Sequence, residues 1–207
     1  MAKKLGKIEK PAAEEFKGGR KLYFIPLLYC GEGSPAEYLE RYSAYWEQVG
    51  NQISELESKL GKVDRIYHEL IPERGEGGCD AIKELNDNSY QIIKACLDKG
   101  AQLEAIEDAG LLAEFMDWSR CLAVGLQSQP VFTRVYESFT GASKKRDEYI
   151  AGQIDQTLKV DEIGVLLMRE GHQVQFPPDI QVFYVAPPAL DEVNRWLRDR
   201  QAKSEES

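Results

Sequence analysis

The chain predicts an α/β fold: a mostly parallel central sheet of about five strands with helices on both faces. Three observations carry that expectation. Short apolar runs recur along the chain and read as buried strands. Longer stretches with helical spacing of apolar residues separate them, and strands alternating with helices belong to a parallel sheet. Glycine, proline and capping residues punctuate the changes from one to the other, as at Gly61, Gly100 and Ser34-Pro35. At 207 residues the chain is long enough to bury one real core.

Residues 1–20 are charged and broken by glycine and proline, and read as a flexible lead to a single domain over 21–200. The first strand is Leu22 to Cys30, in which Pro26 requires an edge position or a bulge because it lacks a ladder donor. After the loop Gly31-Glu32-Gly33-Ser34, an N-cap serine, an N1 proline and Glu37 open a helix reaching about Leu60. Its apolar residues Leu39, Tyr42, Trp46, Val49, Ile53, Leu56 and Leu60 fall at spacings of three and four. That stripe faces the core or, as the alternative, forms a homodimer seam.

Gly61 ends the helix and Val63 to Leu70 is the second strand. Pro72 to Gly78 is a loop, and Asp80 caps a helix to about Lys99. Gln102 to Ile106 is a short third strand, followed by a helix over Leu111 to about Leu126. Val131 to Phe139 and Lys144 to Leu158 read as two helical stretches split by Thr140-Gly141-Ala142-Ser143. Ile163 to Met168 is the fourth strand and Ile180 to Ala186 the fifth. A last helix runs from Ala189 to about Arg200, ahead of a polar tail over 201–207.

The formal net charge of -9 argues against nucleic acid as a partner, since phosphate binding needs a basic face. No apolar run approaches the ~20 residues of a membrane span. The amino terminus has no apolar signal core, and none of the four cysteines forms a C-x-x-C pair. The expectation is a cytoplasmic protein with reduced thiols and no membrane partner. There is no G-x-S-x-G elbow, phosphate-binding glycine loop or H-E-x-x-H pair, which weakens serine-hydrolase, nucleotide and zincin readings.

Open parallel sheets hold ligands at the carboxyl ends of their strands. Those ends carry Cys30 after the first strand, His68 and Glu69 after the second, and Glu107 and Asp108 after the third. Arg169, Glu170, Gly171 and His172 follow the fourth. Carboxylates, an imidazole and a thiol on one edge suit a metal or acid/base site. Each has a plainer role to set beside that one. Cys30 can be a small apolar residue, and Glu107 with Asp108 can cap a helix or face solvent. Glu69 can form a buried ion pair, since a carboxylate among apolar neighbours needs a partner, a proton or a metal. His68 points away from Glu69 on the pleat and is expected to be structural or exposed.

The order of parts resembles the TraB/Tiki/ChaN-like superfamily, which includes the erythromycin esterases. Glu69 falls where that group has a strand-end glutamate, Arg146 in Lys145-Arg146-Asp147-Glu148 resembles its arginine helix, and Val165 to His172 resembles its late Gly-x-x-His motif. The chain departs from the pattern twice. Leu27-Leu28-Tyr29-Cys30 lacks the first glycine and histidine, and Arg169 stands where the late motif has glycine.

The resemblance implies a metal-dependent hydrolase of a peptide, ester or amide, or a non-catalytic ligand-binding or dimeric relative. In the first case His172 and Glu69, with Cys30 or Glu107, would hold zinc or manganese and lower the pKa of a bound water. Glu69 or Glu170 would be the general base, and Arg146 would stabilise the developing oxyanion. In the second case the site would take a small molecule or peptide without turnover.

Overall fold

The computed structural model describes residues 18–31 and 33–205. The charged lead over residues 1–17 and the last residues, 206 and 207, lie outside them. Five strands form one sheet: β1 (Arg20–Pro26), β2 (Arg65–His68), β3 (Gln102–Glu104), β4 (Ile163–Met168) and β5 (Ile180–Tyr184). Their order is β3-β2-β4-β1-β5, and every neighbouring pair is parallel. The helices are α1 (Ala36–Leu60), α2 (Gly75–Leu85), α3 (Asp87–Leu97), α4 (Ala109–Ala123), α5 (Gln129–Thr157) and α6 (Pro188–Glu205). The α/β class expected from the sequence is therefore the observed one.

Side chains alternate across the sheet and build two cores. On one face Tyr23, Ile25, Ile66, Val165 and Leu167 pack with α1, α3 and α6 through Tyr45, Trp46, Val49, Ile93 and Val193. On the other, Leu22, Phe24, Tyr67, Leu166 and Met168 meet Ile150, Ile154 and Leu158 at the end of α5. Residue 164 has to be glycine for this packing. A Cβ there would lie 2.9 Å from both Leu22 Cδ1 and Tyr67 Cε2.

Several boundaries differ from the sequence reading, each for a local reason. Pro26 ends β1, which is not an edge strand, and no bulge is needed. The Leu27 N–H bonds the Met168 carbonyl of β4, so the proline nitrogen faces the other neighbour. There β5 has already made its last pairing, Phe24 with Tyr184. The single helix expected over 80–99 is two helices, divided at Asn86. Its side-chain oxygen accepts the Ser89 N–H at 3.1 Å and the Tyr42 hydroxyl at 2.9 Å, while its amide donates to the Leu28 carbonyl at 2.8 Å. The two stretches expected to part at Thr140–Ser143 are one continuous helix, α5. The last helix runs on to Glu205 instead of ending near Arg200.

The apolar stripe of α1 is mostly core. Tyr42, Trp46, Val49 and Ile53 are buried against the sheet and α6, Leu56 and Leu60 pack beside them, and Leu39 alone of the stripe is exposed. Three of its tyrosines also fasten the chain that leaves β1. Tyr38 donates to the Tyr29 carbonyl, Tyr45 to the Pro26 carbonyl, and Tyr42 reaches the same loop through Asn86. Among the described residues no helix is long and apolar enough to cross a membrane.

Candidate functional site

The strand order fixes where a ligand can enter. From β2 the chain turns outward to the edge strand β3. From neighbouring β4 it departs the opposite way, to β5 at the far edge. Adjacent strands whose exits diverge leave a crevice between their carboxyl ends. Glu69 follows β2 at that point, and Arg169 to His172 follow β4.

A buried charge cluster floors the crevice. The Glu69 side chain is 1% exposed and ion-paired to two arginines, with Arg169 Nε at 2.9 Å and Arg146 Nη2 at 3.7 Å. The same oxygen that meets Arg169 Nε accepts the Arg169 N–H at 3.1 Å, and the Tyr29 hydroxyl donates to it at 3.4 Å. Burial raises the Glu69 carboxyl pKa above its ordinary value, opposed by the fields of Arg169 and Arg146. Burial also works against the Arg146 charge, but a two-pronged bond to Glu107 and the fields of Glu107, Glu69 and Asp147 together more than restore it. Glu107 in turn accepts the Leu70 N–H at 2.9 Å. Leu70 has φ +68°, a left-handed conformation costly for a branched side chain, and it is held there by that bond. Arg146 also lies over the Phe115 ring, 4.8 Å from its centroid, which ties α4 to the same cluster.

Above the cluster opens a cavity of about 830 Å³, of a size that suits a small organic ligand. Its apolar wall includes Phe115 from α4, Tyr136, Phe139 and Ala151 from α5, and Met168 from β4. Its polar wall includes Arg146 and Asp147 from α5, with Arg169, Glu170 and His172 from the β4–β5 loop. His172 lies between Phe24 and Phe176, with ring centroids 5.0 and 6.0 Å away. Its Nδ1 accepts the Val174 N–H at 3.2 Å, which assigns the proton to Nε2. Burial lowers its pKa, favouring this neutral form. With Nδ1 spent on Val174 and the proton on Nε2, His172 has no free lone pair for a general base.

Asp147 is 6% exposed, and its Oδ2 accepts the Gln173 N–H at 3.2 Å. Burial raises its pKa, opposed by that N–H and by the Arg146 and His172 fields. Glu170 is exposed and accepts a bond from the Tyr184 hydroxyl.

The residues singled out from the sequence divide into three groups. Glu69, Arg146, Glu170 and His172 line one cavity. Glu107 lies behind it, engaged by Arg146. Cys30 is exposed, near Tyr38 instead of the cavity wall. Asp108 caps α4, accepting the Gly110 and Leu111 N–H groups at 2.9 Å. His68 is buried on the opposite face, its Nδ1 2.6 Å from the Glu69 carbonyl and its Nε2 3.3 Å from Ser89 Oγ.

This donor set does not fit a resident zinc or manganese ion. Glu69 and Glu107 are engaged by guanidinium and backbone N–H groups, the His172 Nδ1 by Val174, and Cys30 stands apart. Among the described residues no three His, Cys, Asp or Glu side chains are grouped as metal ligands.

The sequence reading missed Asp147 as a site residue, although a signal was present. Arg146 and Asp147 precede Ile150 and Ile154 at spacings of four, three and seven, so two charged residues occupy the apolar stripe of α5. Comparison with protein-family models, curated proteins and solved structures finds no match.

Proposed function

We propose that this chain is a binding protein for a small organic ligand, held in the cavity at the β2–β4 crevice. The observation that carries the reading is a coincidence of place. A cavity of about 830 Å³ with a largely apolar wall lies at the one point of the sheet where neighbouring strand exits diverge. The apolar body of a ligand would rest on Phe115, Phe139, Ala151 and Met168, and its polar end would meet Asp147 and Glu170. The Glu69, Arg146 and Glu107 cluster is the rigid floor. Its groups are already satisfied by one another, so they fix the position of α5 against the sheet.

Metal-dependent hydrolysis of a peptide, ester or amide is the weaker reading of the same cavity. It would require Glu69 to leave two arginines before it could serve as ligand or base. The test is a titration of the full chain with 2-naphthylmethanol, a neutral apolar probe, followed through the amide resonances of Ala151, Gly171 and Gln173. Saturable shifts are expected in the wild type. They should be lost in Thr140→Trp, which fills the mouth from an exposed helical position. Absence of saturable shifts in the wild type would refute the reading.

A further inference from the structure

We propose that the ligand is an organic cation, a protonated amine carried on an apolar body. The inference rests on the binding reading above and adds the charge of the ligand to it.

It follows from the pairing of every charged group on the wall. Three cations line the cavity, and each already has a carboxylate. Arg146 is held by Glu107, Arg169 pairs with Glu69 at 2.9 Å, and Lys144 stands 3.8 Å from Glu148. Two carboxylates on the wall have no such partner. Asp147 is bonded by a backbone N–H and Glu170 by a tyrosine hydroxyl, and among the described residues neither has a cation within ion-pair distance. Asp147 Oδ1 has no hydrogen-bond partner among the described residues, although the residue is 6% exposed and lines the cavity.

An anion that took Arg146 would have to part it from Glu107, whereas the half-exposed Arg169 spends only its Nε and backbone N–H on Glu69. Parting Arg146 from Glu107 leaves a buried carboxylate without its cation, which is strongly unfavourable, and an anion beside Arg169 would share the cavity with Glu69, Asp147, Glu148 and Glu170. A cation displaces nothing and relieves the unpaired charge on Asp147. A hard metal ion would find two carboxylates and an apolar wall where six or more oxygen ligands are needed. An ammonium on an apolar body finds both parts of what it needs. The aromatic wall adds to the preference, because ring faces attract cations, and Phe115 already holds Arg146 in this way. The net charge of -9 favours the approach of a cation from solution.

The test is calorimetric titration of the full chain with three probes that share one ring system: 2-naphthylmethylamine, 2-naphthylmethanol and 2-naphthoate. The amine is expected to bind roughly ten-fold or more tightly than the alcohol, and naphthoate more weakly than either, as one charge-assisted hydrogen bond implies. Asp147→Asn should bring the amine down to the level of the alcohol. Glu170→Gln, at an exposed position, should lower the amine affinity several-fold even if the first variant folds poorly. An amine that binds no tighter than the alcohol, or a naphthoate that binds best, would overturn the cation inference and leave the binding reading intact. Failure of all three probes would remove both.

Discussion

Replacing Arg146 with methionine isolates what holds the floor of the crevice. Methionine keeps much of the aliphatic length and removes the guanidinium. Glu107, whose side chain is fully buried, then loses the one ion pair it has among the described residues, while Glu69 keeps Arg169. Removing one partner from a buried pair costs about 3–5 kcal/mol, because the other charge stays desolvated. For a chain of this size that corresponds to a fall in Tm of roughly 6–20 °C. The penalty should depend on pH in a direction the structure fixes. A bare buried carboxylate has its pKa raised, so the folded variant takes up a proton before the unfolded chain does. Its stability therefore improves as pH falls, by up to ~1.4 kcal/mol per unit for one proton. Urea unfolding of wild type and variant at pH 7 and pH 5 should show the difference between them shrinking at the lower pH. Adding Glu107→Met removes the stranded charge and should recover most of the loss, as apolar replacement of a whole buried pair often does. A penalty below about 1 kcal/mol, or one identical at both pH values, would refute the claim that Arg146 neutralises buried carboxylates.

Three other outcomes follow from single residues. Burial holds the His68 pKa at about 4 against an ordinary 6.5, so the unfolded chain takes up a proton first as pH falls through that window. Its contribution to stability is complete above pH 6.5 and should decline by about 3 kcal/mol towards pH 4, and His68→Gln should remove that part of the slope. Gly164→Ala should destabilise by about 1–3 kcal/mol in urea, since the added methyl would meet Leu22 and Tyr67 at 2.9 Å; an unchanged midpoint would contradict that packing. Thiol labelling of the native chain should modify the exposed Cys30 and Cys121 quickly and Cys96 only on unfolding, because burial excludes reagent and pushes the Cys96 thiol up to about 12.

The fold was legible because its signals are local. Ile163 to Met168 reads as a buried strand and is one, and Gly61 marks the end of α1. The errors fell where distant packing overrides a local preference. A glycine inside a helix costs about 1 kcal/mol, which made Thr140–Ser143 look like a break. In the fold Ala142 is buried at that turn and the helix runs through it. Asn86 was the reverse case. Its capping bonds divide the helix expected over 80–99, and part of their value comes from Tyr42 and Leu28, which lie far away in sequence. Strand order was not legible, and the crevice depends on it, because the exits of β2 and β4 lie side by side only when those strands are neighbours, as they are in the order β3-β2-β4-β1-β5.

The residues gathered at the crevice show why sequence alone leaves their chemistry open. A strand-end carboxylate can hold a metal, cap a helix or neutralise an arginine, and one strand-end glutamate is compatible with all three. What separates the roles is the partner that the fold supplies. Asp108 meets two helix N–H groups, Glu107 meets Arg146, and Glu69 meets Arg146 and Arg169 from two different elements. Once these pairings are made, the reactive-looking groups become the framework of the pocket. The carboxylates left over are Asp147 on α5 and the exposed Glu170. Protein purified without chelator tests this division of roles by elemental mass spectrometry. Zinc and manganese should each fall well below one per chain, because the carboxylates they would need are bound to arginine. Near-stoichiometric metal that disappears in His172→Ala would show that Glu69 can leave its arginines, and would restore the hydrolase reading over the binding one.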